Sequence, residues 1–189
     1  YLNISSGPAE PVVLEPVSVL IANFDNQTGD PLFDNSLEQA LNIGLEAATF
    51  ITVYRRPSAA RALERLNPGS VLDEAGARLI AIREGIQLVV SGSVVPDGDG
   101  YELSASMINP EDGSVIADSS VNAKGKLEVL SAITTLAEGI REELGDESVG
   151  DADSPLGETF TAASLEAVKY YTEAQNRAAN QRYDEAIPL

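Results

Sequence analysis

The sequence predicts an α/β (α+β) domain: a mixed β-sheet of about five strands with a C-terminal antiparallel meander, covered by helices, and followed by a short TPR-like helical segment. Three observations predict it. The run Pro16-Val17-Ser18-Val19-Leu20-Ile21-Ala22-Asn23-Phe24 is apolar or β-branched at nearly every position, as a strand buried on both faces must be. Three strand-like stretches then follow one another between Ile86 and Val121, with turn sequences between them. Helical periodicity fills the gaps before and after that meander.

Each element has its own signal. Residues 1–15 read as a linker, punctuated by Gly7, Pro8 and Pro11. After the first strand, Asp25-Asn26-Gln27-Thr28-Gly29-Asp30-Pro31 has loop composition. A helix is expected from Asn35, with Asn35 as N-cap, Glu38 reaching back in a capping box, and Leu37, Leu41, Leu45 and Ala48 on one apolar face. Phe50 to Val53 and Tyr54 read as a second strand. Ser58 is placed to cap a short helix through Leu66, which Asn67-Pro68-Gly69 stops.

A further helix is expected over 73–84, with Leu72, Ala75, Leu79 and Ile82 inward and Gly85 as its C-terminal stop. Ile86 to Val95 is a β-branched strand, and Asp97-Gly98-Asp99-Gly100 is a hairpin turn. Tyr101, Leu103, Ala105 and Met107 alternate with polar residues, as in a half-buried strand. Pro110-Glu111-Asp112-Gly113 is the next turn, and Ser114 to Val121 the last strand. Leu127, Leu130, Ile133, Ala137, Ile140 and Leu144 mark a long amphipathic helix that Gly145 ends, and this stripe is read as core packing. The α/β domain thus covers 16–145. An acid-rich, Gly/Pro-punctuated linker is expected over 146–163, and truncated TPR-like helices over 164–189.

Composition removes whole classes of function. The 189 residues contain neither Cys nor His, which takes away thiolate nucleophiles, imidazole bases, Ser-His-Asp triads and the usual zinc ligands. Carboxylate chemistry and oxygen-ligated hard metals remain. The formal charge of −18 repels phosphate backbones and anionic lipid surfaces, so no nucleic-acid partner is expected for this chain. The acid excess fits a solvated surface or, as the alternative, a saline or extracytoplasmic setting. No apolar run reaches the ~20 residues of a membrane span. The chain starts without Met and stops within a helical pattern at Ile187-Pro188-Leu189. It reads as a piece of a longer protein whose membrane anchor lies elsewhere.

The candidate ligand- or partner-binding site is the loop after the first strand. Asp25, Asn26, Thr28, Asp30 and Asp34 cluster between the carboxyl end of a strand and a helix start, where α/β sheets bind ligands. The competing reading is structural: Asn26, Gly29 and Pro31 shape the turn while Asp30 and Asp34 favour the helix dipole. Asp97-Gly98-Asp99-Gly100 misplaces the Gly and the distal Glu of a calcium loop and reads as a hairpin turn, and Asp151 and Asp153 stand at ligand spacing but Pro155 and Leu156 break the pattern, so that stretch reads as a linker. Asp30 and Asp34 as a glycosidase pair would lack aromatic platforms, since aromatics make up 5% of the chain. No catalytic residue, metal site or cofactor is expected.

Two stretches carry a family resemblance. Val19 to Asp34, continuing through Leu37-Glu38-Gln39-Ala40-Leu41, resembles the opening of a TolB amino-terminal-like domain, and Ala81-Ile82-Arg83-Glu84-Gly85 through Val90-Ser91-Gly92-Ser93 resembles its later helix-Gly-strand pattern. The resemblance covers about Val17 to Leu144. Tyr170, Ala174, Tyr183 and Ala186 resemble the packing positions of a TPR repeat, with Arg177 departing from the pattern. Domains of this kind stand in bacterial membrane-anchored signalling proteins next to TPR repeats. The resemblance therefore implies a non-catalytic, extracytoplasmic (periplasmic-side) sensor or scaffold module with protein partners reached through TPR repeats. The alternative is an envelope-assembly accessory factor that self-associates, and a carboxylate-dependent hydrolase stands third.

Overall fold

The computed structural model describes residues 14–147, 149, 170 and 174. Its first strand, β1 (Val17–Ile21), runs into a two-residue strand β2 (Asp25–Asn26). Helix α1 (Ser36–Glu46), strand β3 (Ile51–Val53), and helices α2 (Arg56–Leu66) and α3 (Glu74–Glu84) follow. Strands β4 (Leu88–Asp97), β5 (Gly100–Ile108) and β6 (Val115–Ala123) form the meander, and α4 (Lys126–Glu143) closes the domain.

The sheet order is β3-β1-β4-β5-β6, with β2 adding to β4. β1 is parallel to both neighbours, while β4, β5 and β6 are antiparallel. The chain crosses from β1 outward to β3, then back over β1 to β4. Crossovers of one hand that run in opposite directions place their helices on opposite sheet faces. Accordingly α1 and α4 pack with Val19, Ile21, Val90 and Leu103 on one face, and α2 and α3 pack with Leu20 and Val89 on the other. β1 is buried on both sides, which is why its sequence is apolar without alternation.

The mixed sheet and its helical cover agree with the sequence expectation, as does the order of the longer elements; the two-residue strand β2 forms where a loop was expected. Several local expectations are corrected. Asn35 sits in the left-handed region at φ 63° and its side chain makes no cap hydrogen bond. Glu38 turns inward to Phe24 and Arg56 instead of reaching back to Asn35. Ser58 is not the cap of α2: the helix begins two residues earlier, because Pro57 fits the first turn without needing an N–H partner.

On α3 the expected face is rotated. Leu79 and Ile82 are exposed, whereas Gly76, Ala77, Ile80 and Ala81 face inward. The cause is close packing: a Cβ at Gly76 would meet the Val71 carbonyl at 2.6 Å and the Leu63 side chain at 2.7 Å, so only small residues fit there. Leu127 is 96% exposed, and the buried stripe of α4 starts at Val129. Asp146, read from sequence as the first linker residue, is buried and bound to Arg141 on α4 by Nε at 2.7 Å and Nη2 at 2.6 Å. Asp97–Gly100 is a hairpin turn between paired strands, with Gly98 at φ 57°. Of the TPR-like positions, Tyr170 and Ala174 are helical and Tyr170 is exposed, while Tyr183 and Ala186 lie outside the described residues.

Candidate functional site

The loop from Asp25 to Asp34 leaves the carboxyl end of β1 and is stitched to the sheet before it turns into α1. β2 pairs in parallel with Ser93 and Val94 of β4, and the Gln27 amide donates to the Val94 carbonyl at 3.0 Å. Beyond that point the loop satisfies itself. The Asn26 amide group donates to the Asp30 carbonyl at 2.9 Å and to Asp34 Oδ1 at 2.8 Å. Its own Oδ1 accepts from the Thr28 amide at 3.1 Å and from Thr28 Oγ1 at 2.7 Å. Thr28 Oγ1 accepts from the Asp30 amide at 3.1 Å, and Asp30 Oδ1 accepts from the Leu32 amide at 2.9 Å.

Two tethers fix this network to the body. Lys126, at the start of α4, forms an ion pair with Asp30. Phe33 is buried and meets the Tyr101 ring edge-on, with centroids 5.0 Å apart at 70°. Asn26, Thr28, Asp30 and Asp34 are therefore brought together, with Asn26 as hub. Asp25 is not part of the cluster. It points outward and accepts from Gln27 Nε2 at 2.7 Å. A loop built this way is preorganised, and it presents the exposed residues Asp25, Gln27 and Asp34 as an acidic rim. Among the described residues, no group of three or more acids is placed to hold a metal ion, and no helix is long and apolar enough to cross a membrane.

Behind the loop lies a buried pair that the sequence reading did not single out as a site. Glu38 Oε1 accepts from the Phe24 amide at 2.8 Å and from Arg56 Nη2 at 3.5 Å. Arg56 also donates from Nε to the Ile21 carbonyl at 3.2 Å and from Nη2 to Asn23 Oδ1 at 2.5 Å. Burial pushes the Glu38 carboxyl above its ordinary value. The Arg56 charge and the Phe24 amide pull the other way without cancelling it. Burial likewise lowers Arg56, against the pull of Glu38. Glu38 Oε2 is buried and has no hydrogen-bond partner. The only hint in the sequence is a glutamate beside Leu37 on the apolar side of a helix.

Neither a protein-family model nor a curated protein sequence matches the chain. Solved structures do. The LpoB C-terminal domain from Salmonella enterica superposes with a TM-score of 0.51 at 18% identity, over 60% of this chain and 86% of that one. The fold is LpoB-like. Lipoprotein GNA1162 from Neisseria meningitidis superposes with a TM-score of 0.50 at 13% identity, over 70% of this chain and 99% of that one. TolB from Acinetobacter baumannii matches at a TM-score of 0.48 and 16% identity, over 69% of this chain and 29% of that one. At these identities the likeness concerns the fold. It agrees with the α/β part of the sequence resemblance.

Proposed function

We propose that the chain is a non-catalytic protein-binding module of the bacterial envelope, an accessory factor in envelope assembly that self-associates and contacts another envelope protein. The observation that carries this reading is the Asn26-centred loop. Its donors and acceptors are spent on holding one shape, and its rim offers Asp25, Gln27 and Asp34 outward. A rigid polar loop suits recognition of a protein surface, because little ordering entropy is lost on contact. The LpoB-like fold, shared with a Neisseria lipoprotein, supports an extracytoplasmic accessory role better than a signalling one. The sensor role and TPR-mediated partners rest on the sequence resemblance alone.

Two measurements in cells test the proposal. A single cysteine replacing Asp99 at the exposed β4–β5 turn is labelled in cells with a membrane-impermeant maleimide, with the unsubstituted protein, whose 189 residues hold no Cys, as background. Labelling of intact or outer-membrane-permeabilised cells is expected, and labelling only after lysis would sink the envelope assignment. A photo-crosslinking residue at Gln27 should capture an envelope protein, and Asn26→Ala should abolish the capture. Capture that is indifferent to Asn26→Ala removes the loop as the contact.

A further inference from the structure

We propose that the outer edge of β6 is a homodimerisation surface, on which a second copy of this chain adds its own β6 antiparallel about a two-fold axis at Val121. The proposal rests on the self-associating part of the reading above and names the surface for it. It is independent of the loop at 25–34. The sheet order leaves two edges, β3 and β6. β3 has three residues, too short to carry an added strand, whereas β6 has nine. Native edges of that length are blunted by Pro, by Lys along the strand, or by a bulge. Residues 115–123 contain no Pro and no Lys. The bulge in the β5–β6 pairing lies at Met107/Ile108, opposite the start of β6, and leaves 117–123 in regular register. Where α4 crosses β6 it presents Gly139, with Ser119 Oγ 3.5 Å from where a Cβ would stand, so no side chain of α4 overhangs the edge at that point.

Backbone parity decides which groups the edge offers. The Val90 and Val94 carbonyls accept from the amides of Ala22 and Gln27, on the side of β1 and β2. The N–H and C=O of one strand residue point the same way, so Ser91, Ser93 and Val95 bond toward β5. Carried outward through the pairing, the alternation makes Leu103 and Ala105 of β5 bond to Val121 and Ser119 of β6. Asp118, Ser120 and Asn122 therefore turn their amides and carbonyls away from β5, and among the described residues no strand pairs with them there. All three are exposed. A row of alternating donors and acceptors is met in full by another extended backbone.

Charge and register identify that backbone as a second β6. Residues 115–128 carry two acids, Asp118 and Glu128, and two bases, Lys124 and Lys126, in a chain of 30 acids and 12 bases. Exposed charges are screened beyond about 8 Å in physiological salt, so this neutral strip is where two acidic copies approach with least repulsion. An antiparallel pairing that sets Asp118 opposite Lys124 of the second copy puts the two-fold axis at residue 121. It also sets Ser120 opposite Asn122, so each outward-turned residue meets another, as the ladder requires. Had the lysine stood one place earlier or later, the charge match and the ladder would disagree. The same axis brings Val121, half-buried beside the core, against itself in a close, non-hydrogen-bonded pair. The Lys124 amide is already held by Glu128 Oε2 at 3.0 Å, so the ladder ends there and the Lys124 side chain completes the contact. Such an isologous contact closes at two copies.

Sedimentation equilibrium of the 189-residue chain tests this directly. The expected result is a monomer–dimer equilibrium that Ser120→Pro weakens by at least about tenfold, because each copy loses a ladder donor. Proline at an outward-turned edge position removes no bond to β5, so the fold should survive, as a thermal melt checks. Asp118→Lys and Lys124→Asp should each weaken self-association, and the two variants mixed should pair with each other more tightly than either pairs with itself. Because the chain has no Cys, Val121→Cys should oxidise to a linked dimer, and faster than Ser119→Cys, which the axis sets opposite Ala123. A wild-type chain that stays monomeric overturns the proposal and removes self-association from the reading above. A dimer that neither Ser120→Pro nor the charge variants weaken also overturns it, and leaves self-association standing on another face. A dimer that links through Ser119→Cys in preference to Val121→Cys overturns the stated axis. If Ser120→Pro fails to fold, the mixed charge variants decide alone. None of these results touches the Gln27 crosslink that tests the loop.

Discussion

Glu38 and Arg56 stand on helices that pack against opposite faces of the sheet, yet their side chains meet 3.5 Å apart past the carboxyl end of β1. The strand ends there, and Phe24, Ile21 and Asn23 supply the remaining partners. The pair thus joins both helical layers and fixes the base of the loop at 25–34.

Glu38 should make stability depend on pH. Its folded pKa lies above the ordinary value of 4.5, mainly because burial disfavours the charged form. Between that value and the raised one, the native state holds a proton that the unfolded chain has released, so stability falls as pH rises across the window. The contribution is full below 4.5 and is lost as pH climbs through the folded value. Glu38→Gln cannot titrate and keeps an acceptor for the Phe24 amide. The stability of wild type relative to Glu38→Gln, from urea midpoints at several pH values, should therefore fall steadily as pH rises from 4.5 toward neutral, wild type losing ground to the variant. Parallel curves would count against this account. Glu38→Leu, which strands the Phe24 amide and Arg56, should cost about 2–4 kcal/mol at neutral pH.

Asn26 should be worth more than its exposure suggests. Asn26→Ala deletes the hub of four hydrogen bonds and should cost about 1–3 kcal/mol. Asn26→Asp keeps the shape but puts a carboxylate against Asp34. Its penalty at neutral pH should recede near pH ~4, where carboxylates protonate. Equal penalties at both pH values would show that the loop tolerates the charge.

Gly92 lies under an aromatic ring. A Cβ there would run into the Phe24 ring and the Ser104 carbonyl. Gly92→Ala should destabilise the domain by about 1–3 kcal/mol, and Phe24→Leu in the same chain should recover part of that loss by making room. If the double variant is merely additive, the clash is not with Phe24.

Asp146 should behave as part of the domain. Asp146→Ala leaves the guanidinium of Arg141, a buried residue, without the carboxylate it faces, and about 3 kcal/mol should be lost in chemical denaturation. Chains ending just before Asp146 should show the same deficit. A loss within error of zero would return Asp146 to the linker.

Much of the fold was legible because burial on a sheet leaves a periodic trace. The unbroken apolar run of β1, the alternation from Tyr101 to Met107, and the glycines of the two hairpin turns each report a local constraint that the residue type meets directly. The failures have one kind of cause. Leu79 and Ile82 fit a helical stripe as well as Ile80 and Ala81 do, and only the tight seat of Gly76 against Leu63 selects between them. Asn35 and Glu38 match a capping box, but Phe24 and Arg56 offer Glu38 partners that no local pattern contains.

The candidate loop divides in the same way. Its turn chemistry and its place after the first strand were plain from residue types alone, because Asn, Gly, Pro and Asp act on their own backbone within a few residues. Asn26 finds its partners within eight residues, but the tethers from Lys126 and Tyr101 come from some seventy to one hundred positions away along the chain. By itself the sequence determined the strands, the helices, the acid excess and the absence of Cys and His. Tertiary structure alone decided which face of α3 looks outward, that Glu38 is buried beside Arg56, and that Asp146 belongs to the core. Those choices are made by packing between distant segments, and a local pattern carries no record of its distant neighbours.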